Sequence, residues 1–215
     1  FALGLRRQDG RAVFYDLHLR DAALKLLALK ARFQIRRLKA AGAPVVVFLD
    51  EPALAGYGSS DMISISPEEI GAALGEVIAA VHAEGGLAGV HVCANTDWSL
   101  ILNSAADIVN FDAFTYLERF LLYARELQDF LARGGVVAWG LVPTLPPEAI
   151  QTVTLEGLRA RWEGILQTLE GRGIPRETVR RQAFITPSCG AGSLRRADAR
   201  RVLDLTRDLA AALAD

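Results

Sequence analysis

The stretch Leu87-Ala88-Gly89-Val90-His91-Val92-Cys93 is an apolar run that becomes polar at its carboxyl end. A short apolar run of this kind predicts a buried β-strand over 87–92. Side chains two residues apart point to the same side of a strand, so His91 and Cys93 should project together. The only other cysteine, Cys189, also follows an apolar run, 183–187. One imidazole and two thiols, each at the end of a strand, are the ligands that zinc prefers.

The alternation of apolar runs and amphipathic segments continues on both sides of this stretch. Ser66-Pro67-Glu68-Glu69 has the pattern of a capping box with proline at the first helical position. A loop containing Gly56, Gly58 and Ser59-Ser60 precedes it, and Gly85-Gly86 should end the helix that it starts. The other predicted helices are 20–41, 97–105, 115–132, 155–170, a short one after Pro175 and 195–213, and the other predicted strands are 44–50, 108–111, 136–142 and 183–186.

Alternating strands and helices, with strands apolar throughout, predict an α/β fold with a parallel sheet and right-handed crossovers. A doubly wound open sheet and a (β/α)8 TIM barrel both fit this pattern. No Gly-x-Gly-x-x-Gly follows a strand, so a Rossmann nucleotide site is unsupported. Polar side chains follow the strand ends, and in a barrel they all face one mouth. These are Asp50-Glu51, His91 and Cys93, Asp112, Thr144, and Ser188-Cys189.

Convergence of these side chains favours the barrel. Residues 1–215 would then form a single domain that supplies about the last five β/α units. Five units are too few to close a barrel, so we expect about three leading units to be missing from this chain or replaced by partner elements.

Composition excludes several classes of function. Apolar residues make up 51% of the chain, and the formal net charge is −1 with acids and bases interspersed. This balance argues against a nucleic-acid surface and against a basic membrane patch. No apolar run approaches the roughly 18 residues of a membrane helix, and the opening residues do not have the pattern expected of a signal peptide. Two distant cysteines do not form a disulfide framework, so a cytoplasmic protein is expected.

The candidate metal ligands are His91, Cys93 and Cys189, with Asp112 either as a fourth ligand or near an open position. The alternative is that both cysteines are buried core thiols and that His91 is a core histidine. Asp50 and Asp112 are the candidate catalytic carboxylates.

Asp50 and Glu51 could also bind a substrate ammonium group, whereas the alternative for Asp50 is to cap a helix or to order a loop. Asn95 is a further candidate for substrate binding. The alternative for Asn95 or Thr96 is to cap the helix that starts near Asp97.

These motifs resemble those of one enzyme superfamily. The segment Val47-Phe48-Leu49-Asp50-Glu51-Pro52-Ala53-Leu54 is similar to the Asp-Glu-Pro-Ala-Leu segment of cobalamin-independent methionine synthases. His91-x-Cys93 and Pro187-Ser188-Cys189-Gly190 resemble the two zinc-ligand segments of that family, in the same order. The run 91–96 also resembles the His-x-Cys-Gly-Asn-Thr of the uroporphyrinogen decarboxylase and methylcobamide:coenzyme M methyltransferase group.

The resemblance implies a zinc-dependent S-methyltransferase built on a (β/α)8 barrel. His91, Cys93 and Cys189 would bind zinc, which activates a substrate thiol as thiolate. Homocysteine is the preferred acceptor, which would place the reaction in methionine biosynthesis, and Asp50 would contact its amino group. The methyl donor would be a methyl-folate or a methyl-corrinoid, the latter carried by a corrinoid protein partner.

Two departures from the family pattern leave the donor open. The methionine synthases have a glutamate as the remaining zinc ligand, where this chain has Asp112. They also have a catalytic histidine late in the barrel, where this chain reads Ala138-Trp139-Gly140-Leu141-Val142-Pro143-Thr144. A folate donor needs a proton for its amine leaving group, whereas a corrinoid donor does not. The remaining alternatives are transfer to coenzyme M or another thiol, a decarboxylase-like enzyme, and a binding module that keeps the fold without turnover.

Overall fold

The computed structural model describes residues 3–57 and 65–214. Gly58 and Ser59-Ser60 of the predicted loop lie outside the described residues. Short 3-10 helices occur at Val13–Tyr15, Lys39–Ala41, Pro52–Gly56 and Leu121–Tyr123. The strands and α-helices, in chain order, are α1 Leu17–Leu38, β1 Val46–Asp50, α2 Pro67–Ala83, β2 Leu87–Val92, α3 Ser99–Leu102, β3 Ile108–Phe111, α4 Ala113–Phe120, α5 Ala124–Ala132, β4 Val136–Val142, α6 Pro147–Thr152, α7 Leu155–Gly171, α8 Arg176–Arg181, β5 Ala183–Pro187 and α9 Arg196–Ala212.

The strands form one five-stranded sheet in the order β1-β2-β3-β4-β5. Strands β1 and β2 are parallel, with Asp50 opposite His91, and β4 and β5 are parallel, with Trp139 opposite Ile185. The predicted α/β fold with a parallel sheet is therefore confirmed. Each crossover leads to the neighbouring strand, without the reversal of direction that defines a doubly wound sheet.

The chain divides into two compact units. The first contains the chain up to His91 together with Thr96–Ile108. In this unit α1 packs against α2, and the buried side chains are mostly alanines on α1 and larger on α2. They are Ala23, Ala28, Ala31 and Ile35 on α1, and Ile70, Leu74, Val77, Ile78 and Val81 on α2. The predicted capping box of α2 is present, because Ser66 and Glu69 exchange side chain–backbone hydrogen bonds.

Glu84, at the end of α2, connects this helix to α1. Its carboxylate accepts hydrogen bonds from Arg36 Nη2 at 2.7 Å and from Arg32 Nε at 2.8 Å. These two guanidinium groups lower the pKa of Glu84 from 4.5 to about 2. A carboxyl whose pKa is depressed in the folded state stabilises the fold above its unfolded pKa, and the contribution is lost as the pH falls through the folded pKa.

We therefore expect Glu84→Gln to lower the thermal unfolding midpoint at pH 7. The difference from wild type should shrink below about pH 4.5 and vanish near pH 2. Scanning calorimetry across this pH range measures the difference in unfolding midpoint. The control is Glu156→Gln, at an exposed position of α7. An equal deficit at pH 7 and at pH 2 would show that the ion pair does not stabilise α1 against α2.

The second unit contains Val92–Asn95 and the chain from Val109 onward. Its core is an aromatic cluster in which Phe111 stacks on Phe120 at 4.1 Å between ring centroids. Trp139 of β4 lies edge-on to both phenylalanines and to Trp162 of α7. All four rings are buried, so β4 is covered on the side that faces the helices.

Three sequence predictions need correction. The segment 115–132 is divided between α4 and α5, which are joined by the 3-10 turn Leu121–Tyr123, and Tyr123 has non-helical backbone angles. Helix α4 is itself kinked at Tyr116. Pro143, Pro146 and Pro147 predict a loop after β4, whereas the segment contains α6, in which Pro147 takes the first helical position that suits its fixed φ. Strand β1 is not covered on both faces, since Phe48 is 43% exposed.

Within residues 3–57 and 65–214, no helix has both the length and the hydropathy needed to cross a bilayer.

Candidate metal centre

His91, Cys93 and Cys189 form a cluster of potential metal ligands. One ligand atom from each residue lies within 4.8 Å of the other two, and each residue is partly buried. Both cysteines are present as thiols rather than as a disulfide. The predicted ligands from β2 and from the segment after β5 are therefore brought together, and the cluster could bind a metal ion.

The donor atoms fit a soft or borderline divalent cation. In a tetrahedral zinc site, bonds of about 2.3 Å to sulfur and about 2.05 Å to nitrogen place the ligand atoms roughly 3.5–3.8 Å apart. The observed upper limit of 4.8 Å requires only a small contraction to reach those separations. Two thiolates and an imidazole also disfavour magnesium and calcium, which prefer oxygen ligands.

The ligands of the cluster come from two separate segments of the chain. His91 and Cys93 have the spacing that puts both side chains on one side of β2, as the sequence predicts. Cys189 follows the end of β5, where Ser188 is buried. The backbone N–H of Ser188 donates to the carbonyl of Val142 at 2.8 Å, which ties this segment to the end of β4.

A pair of buried hydroxyl groups strengthens this connection. The backbone N–H of Thr144 donates to Ser188 Oγ at 3.0 Å, and the two hydroxyl oxygens are also 3.0 Å apart. Below them, Asn110 Nδ2 donates to the carbonyl of Ala138 and to Thr186 Oγ1, so one amide group connects β3, β4 and β5. Thr144 and Ser188 follow strand ends in the sequence, but their pairing has no local sequence signal.

Asp112 does not belong to the His91, Cys93 and Cys189 cluster. Its side chain caps α4, because Oδ1 accepts the backbone N–H of Thr115 at 2.8 Å. Burial raises the pKa of Asp112, while the hydrogen bond from Thr115 and the charge of Arg161 act in the opposite direction. Its role as a fourth ligand or catalytic group stays a prediction.

The two carboxylates at the end of β1, Asp50 and Glu51, lie in different surroundings. Asp50 is exposed, and it lies opposite His91 in the sheet register. The side chain of Glu51 instead lines an apolar cavity of about 80 Å³ with residues such as Leu24 and Ile70. Burial raises the pKa of Glu51, with the neighbouring charge of Asp50 acting in the same direction.

The capping alternative for Asn95 and Thr96 is wrong. Neither side chain bonds the start of α3, which begins at Ser99; the carboxylate of Asp97 instead accepts hydrogen bonds from the N–H and hydroxyl of Ser99. Thr96 Oγ1 donates to the carbonyl of Leu54 at 2.7 Å. Asn95 is exposed, and its role in substrate binding stays a prediction.

No model of a known protein family matches the chain, and no curated protein matches it.

Proposed function

We propose that this protein is a zinc-dependent methyltransferase that transfers a methyl group to a thiol, with homocysteine as the preferred acceptor and methionine as the product. The observation that carries the proposal is the cluster of His91, Cys93 and Cys189. These three residues would hold the ion and leave one position for the substrate sulfur. When bound, zinc lowers the pKa of a coordinated thiol, so that the acceptor reacts as a thiolate.

The transfer is a single displacement at carbon. The thiol proton leaves to solvent, the sulfur forms a bond to the methyl carbon, and the bond between that carbon and the donor breaks. The electron pair of the broken bond departs with the donor, which is the amine nitrogen of a folate or the cobalt of a corrinoid. Residues 138–144, in β4 and just beyond it, contain no titratable side chain that could donate a proton. This favours the corrinoid donor, because its leaving group needs no proton.

Asp50 would orient the acceptor. It is exposed and lies opposite His91, so its carboxylate is available to the ammonium group of an amino acid held through its sulfur. The same arrangement favours homocysteine over coenzyme M, whose far end is a sulfonate that Asp50 would repel.

The proposal includes closure of the sheet into a (β/α)8 barrel. Crossovers that always lead to the next strand place every helix on one face, so an open sheet would leave its other face uncovered. Phe48 of β1 is 43% exposed and Phe184 of β5 is 49% exposed, as expected for side chains on a sheet face that closure of the barrel would cover. A separate observation supports a curved sheet. In a flat sheet β2 and β5 would be ~14 Å apart, whereas the ligand atoms of Cys93 and Cys189 lie within 4.8 Å of each other.

Two other functions are less well supported. A decarboxylase of the resembled superfamily has no need of zinc, so a Cys-Cys-His cluster would have no purpose there. A binding module that keeps the fold without turnover would need neither the clustered ligands nor Asp50 opposite them. We assign the protein to the cytoplasm because two thiols in ligand positions require a reducing compartment.

We expect the purified protein to contain one zinc ion per chain and to transfer the methyl group of methylcobalamin to homocysteine. Elemental analysis measures the metal, and X-ray absorption should show two sulfur ligands. Replacing methylcobalamin with a methyl-folate identifies the donor, and replacing homocysteine with coenzyme M identifies the acceptor. A folded protein that binds no zinc overturns the proposal, whereas zinc without methyl transfer to any thiol favours the binding module.

A further inference from the structure

The end of β5 approaches β4 unusually closely at Gly140. A Cβ atom at this position would lie 2.4 Å from the carbonyl oxygen of Phe111 and 2.8 Å from Cα of Ser188. Both are backbone atoms, so neither can move aside as a flexible side chain would. Because real Cβ atoms do not come so close to other atoms, only glycine allows β3, β4 and the segment after β5 to meet here.

The register of the two strands changes at the same place. Gly140 is paired with Thr186, but the next pair is Val142 with Pro187, so β4 advances by two residues while β5 advances by one. Leu141 is therefore the extra residue of a β-bulge. Bulges bend the strand that carries them and re-aim the side chains that follow, and they are frequent beside active sites.

Beyond the bulge, Ser188 is fixed to β4 by three interactions. Its N–H donates to Val142, and its hydroxyl oxygen accepts the N–H of Thr144 and contacts the Thr144 hydroxyl. Thr144 and Ser188 are both buried, so losing either hydroxyl leaves polar atoms without water to replace it. The residue that follows is Cys189, whose Sγ belongs to the ligand cluster.

We infer that Gly140, Thr144 and Ser188 are positioning residues that set the place of Cys189 Sγ in the metal centre. The bulge shifts β4 relative to the end of β5, the absent side chain of Gly140 makes room for Ser188 beside Phe111, and the two hydroxyl groups hold it there. The inference rests on the proposed function, because it assigns these residues to the binding of the same ion. Metal centres tolerate errors of only about 0.2 Å in their ligand distances, so a displacement of Ser188 acts directly on affinity.

The test compares Gly140→Ala with Gly164→Ala. Gly164 lies in α7 of the same unit, and a Cβ there would meet nothing within 4 Å, so the same methyl group is added without a backbone clash. Zinc affinity is measured by competition with a chromophoric chelator, and the thiolate-to-cobalt absorption of the Co²⁺-substituted protein reports the sulfur ligands. Thermal unfolding of each metal-free protein measures the structural effect separately.

We expect Gly140→Ala to weaken zinc binding about 10- to 100-fold, the range typical of residues that orient a ligand. It should also reduce the thiolate-to-cobalt absorption. Gly164→Ala should retain both properties within about twofold of wild type. A Gly140→Ala protein that folds and binds zinc as tightly as wild type overturns the inference and leaves the proposed function intact.

A second pair of variants decides the question if Gly140→Ala does not fold. Thr144→Val removes the hydroxyl group at nearly constant volume, whereas Thr144→Ser keeps it. The valine variant should bind zinc about tenfold more weakly, and the serine variant should regain most of the affinity. Equal affinities for the two variants contradict the inference. If wild type itself binds no zinc, the proposed function fails and this assignment fails with it.

Discussion

Cys189→Ala is expected to remove zinc from the protein while the fold remains. Residues that only orient a metal ligand typically change affinity 10- to 100-fold, so the loss of a direct sulfur ligand should exceed about 100-fold. Cys189 is only partly buried and lies outside the regular strand, so the core should lose little packing. Elemental analysis after gel filtration measures the metal, and circular dichroism with thermal unfolding measures the fold.

Asp112→Asn is the matched comparison for this experiment. Asparagine is as good a helix cap as aspartate, so the hydrogen bond to Thr115 and the start of α4 should be kept. Because Asp112 lies outside the ligand cluster, this variant should retain zinc. If Cys189→Ala keeps its full metal content and instead loses stability, Cys189 is a core residue and the metal centre is wrongly assigned.

Trp139→Ala is expected to cause the largest loss of stability. The indole is fully buried and contacts the rings of Phe111, Phe120 and Trp162. Replacing a buried tryptophan with alanine typically lowers the free energy of unfolding by about 3–5 kcal/mol, because a cavity remains. For a chain of this size, that corresponds to a fall of roughly 10 °C in the thermal midpoint.

Trp139→Phe and Leu122→Ala serve as controls. Among the residues that the structure describes, Trp139 Nε1 has no hydrogen-bond partner, so phenylalanine keeps an aromatic ring while removing a buried polar group. Leu122 is 71% exposed, and its truncation should cost little. Guanidinium unfolding ranks the variants, and a Trp139→Ala protein as stable as Leu122→Ala would mean that the aromatic cluster is not the core of the second unit.

Much of the local structure could be predicted from the sequence, because it depends on neighbouring residues. Strand β2 has the predicted bounds 87–92. Gly85-Gly86 before the apolar run and the polar residues after it leave few other places where the strand could begin or end. The helix beginning after Ser66 was predicted from its capping box, which is an interaction among four consecutive residues. The break near Tyr123 was not predictable, because 115–132 contains no glycine or proline to mark it.

In the candidate metal centre, some features depend on neighbouring residues and others on tertiary structure. The His91-x-Cys93 spacing by itself determined that two ligands share one side of a strand, because alternation of side chains is a property of any extended backbone. The inclusion of Cys189 depended on tertiary structure. Ligand atoms of Cys93 and Cys189 lie within 4.8 Å of each other although the two residues are far apart in the chain.

The sequence alone therefore determined the α/β alternation, the parallel sheet and the shared orientation of two candidate ligands, His91 and Cys93, since each follows from the local periodicity of the chain. Only the tertiary structure decided the strand order, the position of Cys189 and the separation of Asp112 from the cluster. The physical reason is that these features depend on contacts between segments far apart in the chain. The register and packing that make those contacts leave no periodic signal in the residues themselves.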